Sequence, residues 1–160
     1  MDHISYFKTT IGWIKIHEES DKLSSLKFVE KPPYNTRTNL STLSKKIILD
    51  LKGYFDTGVL NIDLPLPITG TAFQKQIWEL VKEIPKGKTM TYKQLALRYG
   101  NLKSIRAVAN AVGKNPIMLY IPCHRVIGSD GSMTGYAGGI KNKKWLLEHE
   151  GASIQKTLNL

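Results

Sequence analysis

Apolar positions in the first third of the chain recur with a period of two. Over residues 10–17, Gly12, Ile14 and Ile16 fall on one side and Ile11, Trp13 and Lys15 on the other, which predicts a half-buried strand. Short apolar runs at residues 4–7 and 23–29 predict two further strands. Pro32-Pro33 interrupts the pattern, and Leu40, Leu43, Ile47 and Leu51 then recur at helical spacing as far as Gly53. The join Leu64-Pro65-Leu66-Pro67 suits neither a helix nor a central strand, so it marks a boundary between residues 1–66 and 67–160.

Beyond that join the period changes to that of helices. Thr71-x-x-Gln74 has the form of a capping box, and Phe73, Ile77, Leu80, Val81 and Ile84 form one apolar stripe that ends at Pro85. Thr91-x-x-Gln94 repeats the device ahead of Leu95 and Ala96, with Gly100 as the stop. After a turn at residues 101–103, Ser104 is placed to cap a third helix whose Ile105, Val108, Ala109 and Val112 face inward. Two short capped helices joined by a few residues predict a helix-turn-helix. The small residues Ala107, Ala109, Ala111 and Gly113 on the third helix suit a close backbone approach, either to a neighbouring helix or to a narrow groove.

Charge sharpens the division. Residues 1–66 hold nine basic and eight acidic side chains, a net +1, whereas residues 67–160 hold fourteen against five, a net +9. The basic half, which is also the helix-turn-helix half, is therefore expected to face a polyanion. With 160 residues, 41% hydrophobic content and a mean hydropathy of −0.23, the chain has a globular composition, neither disordered nor fibrous. The apolar run at residues 117–121 is far too short to span a bilayer, and Asp2 stands where a signal peptide would carry positive charge. With one cysteine, an intrachain disulfide and a multi-cysteine metal cage are both excluded. These features predict a cytoplasmic protein with no membrane partner. His3 and His17 read as surface or strand-edge histidines.

The chemistry concentrates around that cysteine. A strand-like run leads to Pro122-Cys123-His124-Arg125-Val126, and polar His124 and Arg125 are unlike the neighbours of a plain core thiol. Positive charge beside a thiol favours thiolate, and Glu150 supplies a carboxylate that can orient a histidine. Thiol, imidazole and carboxylate make an activated sulfur nucleophile, although the same three types also make a thiol hydrolase.

The motif Pro122-Cys123-His124-Arg125-Val126 resembles the active-site signature of the O6-alkylguanine-DNA alkyltransferases, the methylated-DNA–protein-cysteine methyltransferases. The resemblance runs in order from Gly70-Thr71-Ala72-Phe73-Gln74 through Ile84-Pro85-Lys86-Gly87, Thr91-Tyr92-Lys93-Gln94, Arg106-Ala107-Val108 and Asn115-Pro116. It continues through Gly135-Tyr136-Ala137-Gly138-Gly139 to Lys144-Trp145-Leu146-Leu147-Glu148-His149-Glu150-Gly151. It implies an α+β fold, with a small ribonuclease-H-like domain over residues 1–66 and a winged helix-turn-helix-like domain over 67–160. It also implies roles. Cys123 accepts the alkyl group, His124 deprotonates it through a water, and Glu150 holds His124. Tyr92 presses on the phosphate beside a flipped nucleotide and donates to the guanine ring. Arg106 enters the base stack, with Ala107, Asn110 and Gly113 on the same DNA-binding helix. Asn115 fixes the turn into the cysteine strand. Tyr136, Ala137, Val126 and Met118 line the substrate pocket. The implied partner is double-stranded DNA carrying O6-alkylguanine, read from the minor groove by a monomer with weak sequence preference. Some relatives bind a structural zinc through cysteines and histidines in the N-terminal domain. With no cysteine in that stretch, no metal is expected here, nor is any cofactor. A winged-helix regulator with a structural Cys123 is the non-enzymatic rival.

Overall fold

The computed structural model describes residues 2–33, 40–65, 67, 69–133 and 135–152, so Leu66 of the proline-rich join lies outside the described residues. The fold is mixed α+β and divides into two compact units. One contains the chain up to Thr69 together with Pro116–Met118; the other contains Gly70–Asn115 and the chain from Leu119 onward. The division falls after Thr69 rather than at the proline-rich join, and Pro116–Met118 departs from any linear boundary.

In the first unit, strands β1 (Asp2–Thr9), β2 (Gly12–Glu19) and β3 (Lys22–Val29) form an antiparallel meander. The period-two pattern is realised, because Ile14 and Ile16 are fully buried while Trp13 and Lys15 are half-buried on the opposite face. The turn between β2 and β3 is made by Ser20 and Asp21, both left-handed at φ 51° and 61°, as a two-residue hairpin of type I′ requires. Pro116–Met118 extends the sheet in parallel: Leu26 N–H donates to the Pro116 carbonyl at 2.8 Å, and Met118 N–H donates to that of Leu26 at 2.9 Å.

Helix α1 (Thr42–Thr57) closes this unit and buries Ile47, Leu51 and Tyr54. It runs through Gly53, where the sequence pattern placed its end, and stops at Gly58, which takes the left-handed conformation at φ 80°. Tyr54, three residues after Leu51, continues the apolar stripe past Gly53 as a core residue. Its N-cap is Ser41, whose Oγ accepts from the Ser44 N–H and donates to buried Glu18.

The second unit is built on α2 (Ala72–Lys82), α3 (Tyr92–Tyr99) and α4 (Ile105–Gly113). Both predicted capping boxes are present, with reciprocal bonds of 2.9 and 3.0 Å at Thr71/Gln74 and again at Thr91/Gln94. Ser104, however, makes no side-chain cap. Its hydroxyl donates to the Asn101 carbonyl, and Asn101 instead holds the short 3₁₀ turn Leu102–Ser104 that links the helices. Trp78, Ile77, Val81, Leu95, Val108 and Val112 fill the core, and the Trp78 indole donates to the Ala111 carbonyl at 2.9 Å. Ala111 is therefore a packing residue and leaves the small-residue face proposed for α4. Two-residue strands β4 (Met90–Thr91) and β5 (Val126–Ile127) pair in parallel, and α5 (Ile140–His149) buries Lys143, Leu146 and Leu147.

Candidate active site

The cysteine sits in a turn that its own sequence dictates. Pro122, at φ −79° and ψ 64°, centres an inverse γ-turn closed by Cys123 N–H donating to the Ile121 carbonyl at 2.7 Å. A 3₁₀ turn over Cys123–Arg125 follows and hands the chain to β5. Asn115 Nδ2 donates to the same Ile121 carbonyl at 2.7 Å, and its side chain also hydrogen-bonds Cys123. Asn115 thus ties the end of α4 to the thiol turn. Between them lies Leu119, a buried residue at φ 72°, a conformation that costs a branched side chain about 1–3 kcal/mol and persists only where its surroundings impose it.

Burial governs the ionisation of the site. Cys123 is 5% exposed, and burial pushes its thiol up to about 11 despite the Asn115 hydrogen bond and the Lys143 charge, which pull the other way. The resting sulfur at neutral pH is therefore a thiol. His124 is fully buried, and that burial holds its imidazole below the ordinary value against the opposing pull of Glu150. Its Nε2 lies 2.9 Å from Glu150 Oε2. Burial also raises Glu150, but the hydrogen bonds and charges of His124 and Arg125 together outweigh it and bring the carboxyl down to about 2. An ionised carboxylate only accepts, so a neutral His124 carries its proton on Nε2 and leaves Nδ1 as a base. That Nδ1 is shielded and makes no hydrogen bond among the described residues.

Arg125 fixes the other side of Glu150. Its Nε donates to Oε1 at 2.8 Å and its Nη2 to Oε2 at 3.0 Å, while Nη1 donates to the Ile84 carbonyl at 2.7 Å. The sequence reading made His124 and Arg125 the sources of positive charge for the thiol. The structure corrects this, since His124 is neutral and Arg125 is committed to Glu150. The cation acting on the sulfur is Lys143 from α5, fully buried, with Nζ donating to the Val126 carbonyl at 2.5 Å. Burial lowers Lys143 to about 8, partly offset by Cys123. Sequence reasoning missed Lys143, although it lies at helical spacing with Leu146, Leu147 and Glu150 on the inward face of α5.

Tyr92 opens α3 directly after β4, and the pairing of β4 with β5 carries it to the cysteine turn. Burial and the charge of Cys123 raise its phenol, so it remains a donor. A Cβ at Gly135, which is left-handed at φ 84°, would stand 3.2 Å from the Tyr92 hydroxyl. Tyr136 is buried, with its ring centroid 6.5 Å from that of His124 in an edge-on arrangement, and Ala137 is exposed. Cys123, His124, Glu150, Tyr92, Asn115, Tyr136 and Val126 thus come together. Met118 is buried, and its N–H donates to the Leu26 carbonyl of β3. Arg106, Ala107, Asn110 and Gly113 are all exposed and share one face of α4, opposite buried Val108, Ala111 and Val112. No trio of convergent metal donors surrounds Cys123 among the described residues.

A family model described as the DNA-binding domain of 6-O-methylguanine DNA methyltransferase matches residues 72–152. A methylated-DNA–protein-cysteine methyltransferase of Shigella flexneri is 49% identical over 115 residues, covering 71% of this chain and 65% of that protein. A protein of the same name from Haemophilus influenzae is 36% identical over 154 residues, covering 92% of this chain and 86% of the other. The crystal structure of Mycobacterium tuberculosis OGT in complex with DNA is similar over 99% of each chain, with a TM-score of 0.81 and 34% identity.

Proposed function

The chain belongs to the family of the methylated-DNA–protein-cysteine methyltransferases, and from that premise we propose that it repairs DNA by moving the alkyl group of O6-alkylguanine, and of O4-alkylthymine, onto its own Cys123. The observation that carries this reading is a buried thiol in one turn with a neutral imidazole whose Nδ1 makes no hydrogen bond among the described residues and whose Nε2 is held by Glu150. In the proposed step a water passes the thiol proton to His124 Nδ1, and the sulfur attacks the alkyl carbon in line. The carbon–oxygen bond breaks, its electron pair goes to guanine O6, and Tyr92 and the Ala137 N–H donate to the leaving base. The proton on His124 returns through solvent to the released guanine. Glu150, clamped by Arg125, stabilises the imidazolium while it exists. In this reading Met118 lines the pocket with Tyr136, Ala137 and Val126.

The substrate base leaves a double helix at a cost of a few kcal/mol. We assign the exposed face of α4 to the minor groove. Arg106 fills the gap left by the extruded nucleotide, and Ala107, Asn110 and Gly113 allow close approach to the backbone. In this reading the second unit is a winged helix-turn-helix and the first is ribonuclease-H-like, and the protein acts as a cytoplasmic monomer. Incubation with a duplex containing O6-methylguanine, followed by peptide mass spectrometry, tests the reaction. One added methylene on the peptide holding Cys123 is the expected result, and an unmodified Cys123 beside demethylated DNA would contradict it.

A further inference from the structure

The carboxylate that holds His124 leans on a turn that no step of the reaction uses. The chain leaves α2 at Glu83 and turns over residues 85–88, closed by Lys88 N–H donating to the Pro85 carbonyl at 3.1 Å. Gly87 takes the third position of that turn at φ 82°, a left-handed value that glycine adopts without strain. Two contacts join the turn to Glu150. The Ile84 carbonyl, at its entry, accepts from Arg125 Nη1 at 2.7 Å, while Arg125 Nε and Nη2 donate to the Glu150 carboxylate at 2.8 and 3.0 Å. Gly87 in turn lies so close to the Glu150 main chain that an added Cβ would stand 3.3 Å from its carbonyl oxygen. That main chain has little freedom to yield. The N–H groups of Glu150, Gly151 and Ala152 donate to the carbonyls of Leu146, Glu148 and Leu147 at 3.0, 3.0 and 2.9 Å. Moving the turn instead would carry the Ile84 carbonyl away from the guanidinium that it aims.

We propose that the turn over residues 85–88 is a positioning element for the acceptor site: Gly87 admits it against Glu150, and the Ile84 carbonyl then aims Arg125, and through it Glu150, at His124. The inference rests on the proposed transfer to Cys123. His124 and Arg125 are the charged or titratable groups acting on Glu150, and Lys143 joins Glu150 and Arg125 in acting on His124. A carboxylate displaced from Arg125 would hold the Nε2 proton of His124 less well and so weaken the base at Nδ1. Gly87 is thus a positioning residue, acting through Glu150 rather than on the reacting atoms.

Paired substitutions test the turn. Gly87→Ala and Gly87→Asn both add a Cβ, and asparagine tolerates the left-handed backbone better than alanine. Gly100→Ala and Gly100→Asn make a similar backbone demand in the same unit, at φ 107°, with nothing within 4 Å of the added Cβ. Relative to the Gly100 pair, both Gly87 variants should slow transfer from free O6-benzylguanine to Cys123 by at least about tenfold. In a Glu150→Gln background they should slow it no further. Urea melts from neutral pH into acid give a readout independent of transfer. Glu150 contributes stability above about 4.5 that fades as the pH falls toward 2, and the Gly87 variants should flatten that loss while the Gly100 variants only lower the whole curve. A wild-type acid slope in Gly87→Asn, slowing equal to that of the Gly100 pair, or slowing that adds in full to Glu150→Gln would overturn the proposal. A wild-type chain that takes no alkyl group would overturn the proposed reaction instead, and the melts would still decide the part played by the turn.

Discussion

Cys123 is a poor nucleophile at rest because it is buried, and the groups around it divide the work of changing that. Asn115 and Lys143 pull the thiol down, but burial wins and leaves it near 11. In the proposed reaction the thiol therefore needs His124 as a base, and Glu150 holds that base. Glu150→Gln should keep DNA affinity and lose most alkyl transfer, measured as the rate of methyl transfer to Cys123 under single-turnover conditions. The same substitution carries a stability signature. Glu150 lies near 2 in the folded chain against an ordinary 4.5, so its contribution is complete above about 4.5 and is lost as the pH falls toward 2. Denaturant melts should show Glu150→Gln flattening the loss of stability across that acid window. Cys123 has the opposite sign: the unfolded thiol ionises from about 9 while the folded one waits until about 11, so it lowers stability as the pH rises between them. A variant that transfers at the wild-type rate would reduce Glu150 to a C-terminal cap of α5.

Elements explain how residues distant in sequence reach one turn. Two capping boxes of the same geometry begin α2 and α3, and loss of either should cost about 1 kcal/mol of stability. Only the second stands beside Tyr92, so Thr91→Ala should slow alkyl transfer well beyond Thr71→Ala at matched loss of stability, as compared by urea melts and single-turnover rates. Equal slowing would mean that α3 places Tyr92 without help from its cap. Helix α4 makes a different separation. Arg106→Ala should slow repair in duplex DNA far more than reaction with free O6-benzylguanine, which requires no flipping. Equal losses on the two substrates would make Arg106 structural. These elements were legible because Thr-x-x-Gln and a terminal glycine are local signals. Ser104 was misread because a serine before an apolar run also fits an N-cap, and the Asn101 carbonyl took its hydroxyl. Lys143 was hidden because a lysine is ordinarily a surface residue, and its bond to the Val126 carbonyl is part of what makes its burial tolerable.

The whole molecule divides a neutral unit from a basic one, and the +9 carried by residues 67–160 is the long-range counterpart of the exposed Arg106 face. That asymmetry was readable from composition, as was the chemistry of Pro122-Cys123-His124-Arg125-Val126. The pairing of Pro116–Met118 with β3 was not, because a parallel bridge between positions 91 residues apart leaves no periodic trace. The central claim is that Cys123 is the final resting place of the alkyl group. A thioether offers no good leaving group, and a chain with one cysteine holds no second thiol to resolve it. Titrating a fixed amount of protein with excess duplex carrying O6-methylguanine, and counting the guanines restored at the plateau, is the most direct measurement. The account predicts one repaired lesion per chain and no further repair with time. Several repaired guanines per chain without added cofactor would contradict it.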